Sequence, residues 1–351
     1  MLEEGISTLS NGAFYGCTTL ASATLPGSLS SIGISIFEGC TNLISVTLCE
    51  GITLVSSRMF YGCKTLPAIS LPTSLTDIAS EAFDSCASLA AVQFGSTATI
   101  GSTAFSLCTS LTTLVLPDGL TAIADHAFTD CSSLVSVDFP NSLTTIGDSA
   151  FNNCDVLQSV TLRSSLTDLG TQVFYDCNAL TSVDLSATQL TTIPASAFAH
   201  CSKLAEVKLP RLLVTIDSSA FYRCALSFIS LPASLSTLSS SAFSYCSKLA
   251  KVYFYGDAPT TTPSFTGCSS DLVLHYLDGK TGWTTPIWNG YTTDTFHAYN
   301  GHRYLLLEDS TSYEEAMTSA SAHGGYLATI TSAEESICIL PLLSSMEQPY
   351  S

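Results

Sequence analysis

Leu111-Thr112-Thr113-Leu114-Val115-Leu116-Pro117-Asp118-Gly119-Leu120-Thr121-Ala122-Ile123-Ala124-Asp125-His126-Ala127-Phe128-Thr129-Asp130-Cys131 is one copy of a unit that recurs along the chain. Its Phe-x-x-Cys ending occurs twelve times, at Phe14, Phe37, Phe60, Phe83, Phe105, Phe128, Phe151, Phe174, Phe198, Phe221, Phe243 and Phe265, with consecutive Phe residues 22 to 24 positions apart. That period, with Leu and Val or Ile at set offsets, predicts one short unit stacked on copies of itself: a β-rich repeat solenoid. Leu114 and Leu116 point to one side and Val115 to the other, as a strand requires, and Pro117 cannot donate to the ladder, so pairing stops there. A Pro-Asp-Gly or Pro-x-Ser turn follows, as at Pro26-Gly27-Ser28, Pro72-Thr73-Ser74 and Pro140-Asn141-Ser142. A second short extended piece, Leu143 to Ile146 in the next copy, crosses the opposite face before Ala150-Phe151 turns inward. Stacked strands lie about 4.8 Å apart, so the array is expected to be a rod roughly 50 Å long with Phe, Leu and Ile in continuous internal ladders.

The expected organisation is a solenoid over residues 1–290 of about twelve repeats, with a closing cap near 252–290, a linker at 291–298 and a separate piece at 299–351. Apolar residues make up 46% of the 351 and charged residues 11%. No apolar stretch approaches the roughly 18 to 20 residues of a spanning helix, so no membrane-spanning segment is expected and the apolar excess reads as a continuous core. With 29 acidic against 11 basic residues the net charge is −18. Such a chain repels phosphate backbones, which argues against nucleic acid as a partner. No signal peptide opens the chain, and Met1 falls inside a repeat: Leu2, Gly5 and Leu9 align with Leu116, Gly119 and Ile123 when Phe14 is placed on Phe128. The start is therefore expected to be a break in a longer protein.

The twelve motif cysteines admit two readings. Neighbouring rungs are close enough for disulfides, and buried Cys also behaves as a small hydrophobe. One Cys per unit, with no second Cys to pair with, favours the buried thiol. No Cys-x-x-Cys or Cys-x-x-His cluster supplies a tetrahedral set, so neither a metal nor a cofactor is expected. Cys49 and Cys338 stand outside the pattern.

Nothing in the sequence has the form of a catalytic motif. His126 and His200 fall in the variable turn beside Phe and are expected at the surface, and the pairs Glu3-Glu4 and Glu334-Glu335 read as solvated charge. The strand face offers better candidates. Residues flanking the central Val of each strand point away from the core, and stacking makes them two parallel columns. The columns are small and hydroxyl-rich at first, then carry Asp138, Asp184, Glu206, Lys208, Phe228, Lys251 and Tyr253, the expected binding residues.

From about residue 2 to 290 the pattern Leu-x-x-Val-x-Leu-Pro, Leu-x-x-Ile, Ala-Phe-x-x-Cys resembles the BspA-type leucine-rich repeats of bacterial surface proteins and some parasitic protists. That resemblance implies secretion or display at the cell surface, and a non-catalytic adhesion role toward host or bacterial surface proteins. Val252-Tyr253-Phe254-Tyr255-Gly256, Leu272 to Tyr276, Trp283 and Trp288 look like the closing cap of such arrays. The two Trp residues could be a sugar platform, but a lid over the last apolar rung is the favoured reading.

A second resemblance follows on Gly301-His302-Arg303-Tyr304, Tyr313-Glu314-Glu315-Ala316, Gly324 to Ile330 and Ser332-Ala333-Glu334-Glu335, which together are similar to the opening strand and first helix of C-type lectin-like domains. Tyr313, Tyr326 and Ala320 depart from that pattern, standing where Trp, His and the first disulfide Cys are usual. Ser312 and Glu315 form a capping box for the expected helix, which Gly324-Gly325 ends. Residues 299–351 thus resemble the N-terminal, incomplete part of an α+β lectin-like domain. The family's calcium and sugar ligands come from the later half, so none is assigned here. The alternative function is carbohydrate binding, with this piece reading glycans and the repeats as a stalk.

Overall fold

In a computed structural model, residues 5–299 and 302–304 are described. The chain winds as a succession of short segments, each copy contributing a front strand, a two-residue back strand and an arch that carries the Phe. Thirteen front strands run from Ser22–Leu25 to Tyr291–Tyr299, and no helix occurs among the described residues. Between copies, pairing is parallel and shifted by one whole copy: Thr113 to Val115 lie beside Ser136 to Asp138, and Ser182 to Asp184 beside Glu206 to Lys208. The back strands form their own parallel sheets, the longest having six strands from Leu54–Val55 to Asp168–Leu169. Val55, Ile78, Ile100, Ile123, Ile146 and Leu169 project from it into the core. A one-copy register keeps every apolar side chain against its own equivalent, because a slip by one residue would turn the whole set to solvent.

The twelve Phe rings make one unbroken stack, with centroids 5.0 to 5.5 Å apart and planes within 15° of parallel. All are buried except Phe14, which is half-buried at the first rung. Each arch holds its Phe by an unusual backbone. The residues two before and two after it are left-handed, as His126 (φ 58) and Asp130 (φ 59) are around Phe128, save in the last arch, where Pro263 stands two before Phe265. Glycine fills these places only in some copies, such as Gly12, Gly16, Gly39, Gly62 and Gly267; elsewhere Ser, Glu, Arg, Leu and Tyr accept a conformation that costs L-residues about 1 to 2 kcal/mol. The offsetting gain is a third ladder. The amides of His126, Phe128 and Asp130 donate to the carbonyls of Asp148, Ala150 and Asn152 at 2.8, 2.8 and 2.9 Å, and the pattern continues as far as the arch of Phe243.

The cysteines complete the arch. Cys131 donates its amide to the Phe128 carbonyl of its own copy and its thiol to the Phe105 carbonyl of the copy before, with Sγ at 3.3 Å. The same thiol bond recurs from Cys40 to Cys268 at 3.0 to 3.5 Å. All cysteines of the described residues are free thiols, so the disulfide alternative is not what the fold uses. Burial pushes these thiols up, Cys63 and Cys268 to about 12 and Cys86, Cys108, Cys154, Cys177 and Cys224 well above the ordinary 9.0.

The last rungs close the core. Trp283 lies against Phe254, Tyr276 and Trp288 at 4.7, 5.1 and 4.5 Å, and its Nε1 donates to the Gly256 carbonyl. Trp288 is buried and donates to the Gly282 carbonyl, while Tyr291 sets its edge on Phe265 at the end of the ring stack. Both tryptophans therefore serve as a lid. Residues 291–298, expected as a linker, instead lie in the strand Tyr291–Tyr299, which extends the front sheet parallel to Val273–Leu277. The alternating, Thr-rich run Tyr291-Thr292-Thr293-Asp294-Thr295-Phe296 suits a strand and brings Phe296 into the core. Of the lectin-like piece, only Tyr299 and the strand His302–Tyr304, paired antiparallel to the strand before it, are described; its expected helix lies outside the described residues.

Phe128→Ala is expected to lower stability by about 3 to 5 kcal/mol in urea unfolding, because a core one ring wide has little room to collapse. A second expectation concerns pH. The folded thiols stay neutral while unfolded ones ionise near their ordinary 9.0, so their contribution is intact below that pH and is lost as pH rises toward the folded values. Urea resistance should fall steeply above about pH 9, and the slope should flatten when Cys108 and Cys154 are replaced by Ala.

Candidate binding face on the front sheet

The front strands place outward side chains in the two columns expected from the sequence. Leu114 is buried and Val115 is 71% exposed, and register sets Val115 beside Asp138, Thr161 beside Asp184, and Asp184 beside Lys208. Around Val115 the face dips into an open depression of about 490 Å³, lined by Thr113, Val115, Ser136, Asp138, Ser159, Thr161 and Arg163. Arg163 closes one side, its Nη2 3.4 Å from the Asp138 carboxylate and its Nε donating to the Phe139 carbonyl. It stands where neighbouring copies have Pro117 and Pro140, and that break in the Leu-Pro pattern is the signal that could have found it. An apolar side chain, a row of hydroxyls and an exposed ion pair thus share one concavity. Such a mix suits a protein surface better than a reacting group, because nothing in it is enclosed.

On the next two rungs, Asp184, Glu206 and Lys208 come together. The Lys208 ammonium lies 3.4 Å from Asp184 and 3.9 Å from Glu206. Burial raises the Asp184 carboxyl, but the hydroxyl and amide of Ser186 at 2.6 and 3.0 Å, together with Lys208, outweigh it and hold the group below its ordinary range. Phe228 is half-buried and pairs in register with Lys251, also half-buried. Tyr253 differs from expectation. Although it lies in the outward column, it is 1% exposed, stacked on His275 at 4.8 Å and met edge-on by Phe296 at 5.7 Å. The strand Tyr291–Tyr299 adds a rung beyond it and covers it, so Tyr253 belongs to the core rather than to the face. Among the described residues, no group of three or more His, Cys, Asp or Glu side chains is placed to hold a metal ion, and no helix is long and apolar enough to cross a membrane.

Stacked parallel turns with a Leu-based interior define a leucine-rich-repeat β-solenoid. A family model for the BspA type leucine rich repeat region matches residues 7–135, 98–198, 121–250 and 183–270, and the chain belongs to that family. The match ends before residues 299–351, so the lectin-like resemblance gains no support from it. Among solved structures, a leucine-rich repeat protein from Bacteroides ovatus is 24% identical over 83% of this chain and 87% of its own, with a TM-score of 0.56. One from Eubacterium ventriosum is 19% identical over 86% of each chain, with a TM-score of 0.50. A leucine rich cell surface protein from Faecalibacterium prausnitzii is 24% identical over 73% of this chain and 86% of its own, with a TM-score of 0.42. The first two likenesses concern the fold. No curated protein matches the sequence.

The ion pairs of this face are exposed, and such pairs contribute little. Arg163→Ala and Lys208→Ala are each expected to change stability by less than about 1 kcal/mol in urea unfolding.

Proposed function

We propose that this protein is a non-catalytic binding protein, displayed at a cell surface or secreted, that engages a host or bacterial surface protein through the front sheet. The observation that carries this reading is the depression around Val115, with the Asp138–Arg163 pair at its side. Interfaces concentrate their energy where an apolar contact is ringed by polar groups that exclude water, and Val115 inside its ring of Ser and Thr has that form. Asp184, Glu206 and Lys208 extend the face along the next rungs and offer both signs of charge for orienting a partner. Phe228 and Lys251 continue it toward the cap. Membership of the BspA-type family supports surface placement and adhesion as the setting.

The test is capture of surface proteins by the full chain, followed by titration of the captured protein against variants. Val115→Glu combined with Arg163→Ala is expected to weaken binding by about tenfold or more, while Lys64→Ala, on the arch side of the rod, leaves it unchanged. Capture that survives both front-sheet substitutions undiminished would remove the front sheet from the reading.

A further inference from the structure

The arches present a second surface, away from the front sheet. In four consecutive arches a residue one or two places after the ladder Phe is a ring that reaches the surface: Tyr175, His200, Tyr222 and Tyr245. Their centroids are 5.1, 5.3 and 5.4 Å apart and successive planes are tilted by 45°, 45° and 68°, so they form one continuous ridge. Tyr245 is 50% exposed and lies over Gly267, where a Cβ would stand 2.9 Å from its ring. The absence of a side chain at Gly267 is what lets that ring lie down.

A guanidinium sits among these rings. Arg223 holds its Cζ 5.3 Å from the Tyr222 centroid and 5.7 Å from that of Tyr245, within cation–π range. Arg223 is exposed, in a chain whose net charge is −18, and no carboxylate of the described residues pairs with it. The acidic group on the ridge is at its other end, Asp176, 3.9 Å from Nδ1 of His200. The ridge therefore has direction, cationic at Tyr245 and anionic at Tyr175.

These features set the chemistry of a ligand. Aromatic faces take the C–H face of a pyranose ring, being apolar in body with a polar rim. A guanidinium whose nearest partners are rings rather than a carboxylate has its fork available for one, which it binds through two parallel hydrogen bonds. One rung is comparable to the length a sugar residue adds to an extended glycan, so successive sugars can meet successive rings. We propose that this ridge binds a carboxylate-bearing glycan, with its acidic sugar at Arg223 and Tyr245 and the following sugars along Tyr222, His200 and Tyr175. Asp176 repels the acidic end and fixes the orientation. An acidic peptide would satisfy the charges without needing the row of rings.

The experiment titrates the full chain by calorimetry with an oligosaccharide ending in glucuronic acid, with the same oligosaccharide ending in glucose, and with polyglutamate. The acidic sugar is expected to bind about tenfold more tightly than its neutral counterpart or polyglutamate. Arg223→Gln should abolish that preference, Tyr245→Ala should weaken binding about fivefold, and Lys64→Ala, outside the ridge, should change nothing; circular dichroism verifies that each variant is folded. Equal binding of acidic and neutral sugars, indifference to Arg223→Gln, or polyglutamate binding as tightly as the sugar acid would each overturn the proposal. The two surfaces share no residues, so these outcomes leave the front-sheet reading to its own test.

Discussion

The Phe carbonyl is the point on which this structure turns. It accepts the amide of its own Cys and the thiol of the next, so each arch is fastened to its own copy and to the following one at the same atom. The amide ladder of the left-handed positions and the stack of rings run alongside. A buried carbonyl carries two lone pairs and is costly to leave unsatisfied, and a small apolar side chain would fill the space without supplying the donor. Cysteine does both, being small and apolar enough for the core while keeping a weak donor. The repeated Cys is thus explained by a hydrogen bond as much as by volume.

With the interior and the arch backbone fixed in this way, the molecule's variety is confined to side chains that leave the core. On the front sheet these are the residues flanking each central Val. On the arches they are drawn from the residues one and two places after each Phe. Both sets are aligned between copies, so a chemistry that extends over several rungs arises from independent choices at equivalent positions. The depression around Val115 needs contributions from three front strands and one turn. The ring ridge needs four arches. Neither belongs to a single copy.

This division also explains what could be read from the sequence. The ladder Phe residues, the strand alternation and the columns were legible because each repeats with a fixed period and depends on near neighbours. Arch geometry was not, since left-handed residues announce themselves through Gly, and at Glu81, Arg58, Leu107 and Tyr245 the announcement is missing. Tyr253 was misplaced because its cover, Phe296, lies outside the repeat and arrives through a strand that has no Phe-x-x-Cys mark. Arg163 was overlooked because it occupies a turn position that otherwise reads as Pro. Tyr175, His200, Tyr222 and Tyr245 alternate between two offsets from Phe, so no single column of the sequence shows them as a row.

Every contact of the ladder joins a residue to its equivalent one turn away, and this has a mechanical side. Drawn apart by its two ends, such a winding has no contact that spans many turns and could hold after its neighbours fail. It should pay out in similar increments, each turn of 22 to 24 residues releasing roughly 75 Å of extended chain. A molecule so built would act under tension as a tether that lengthens in steps.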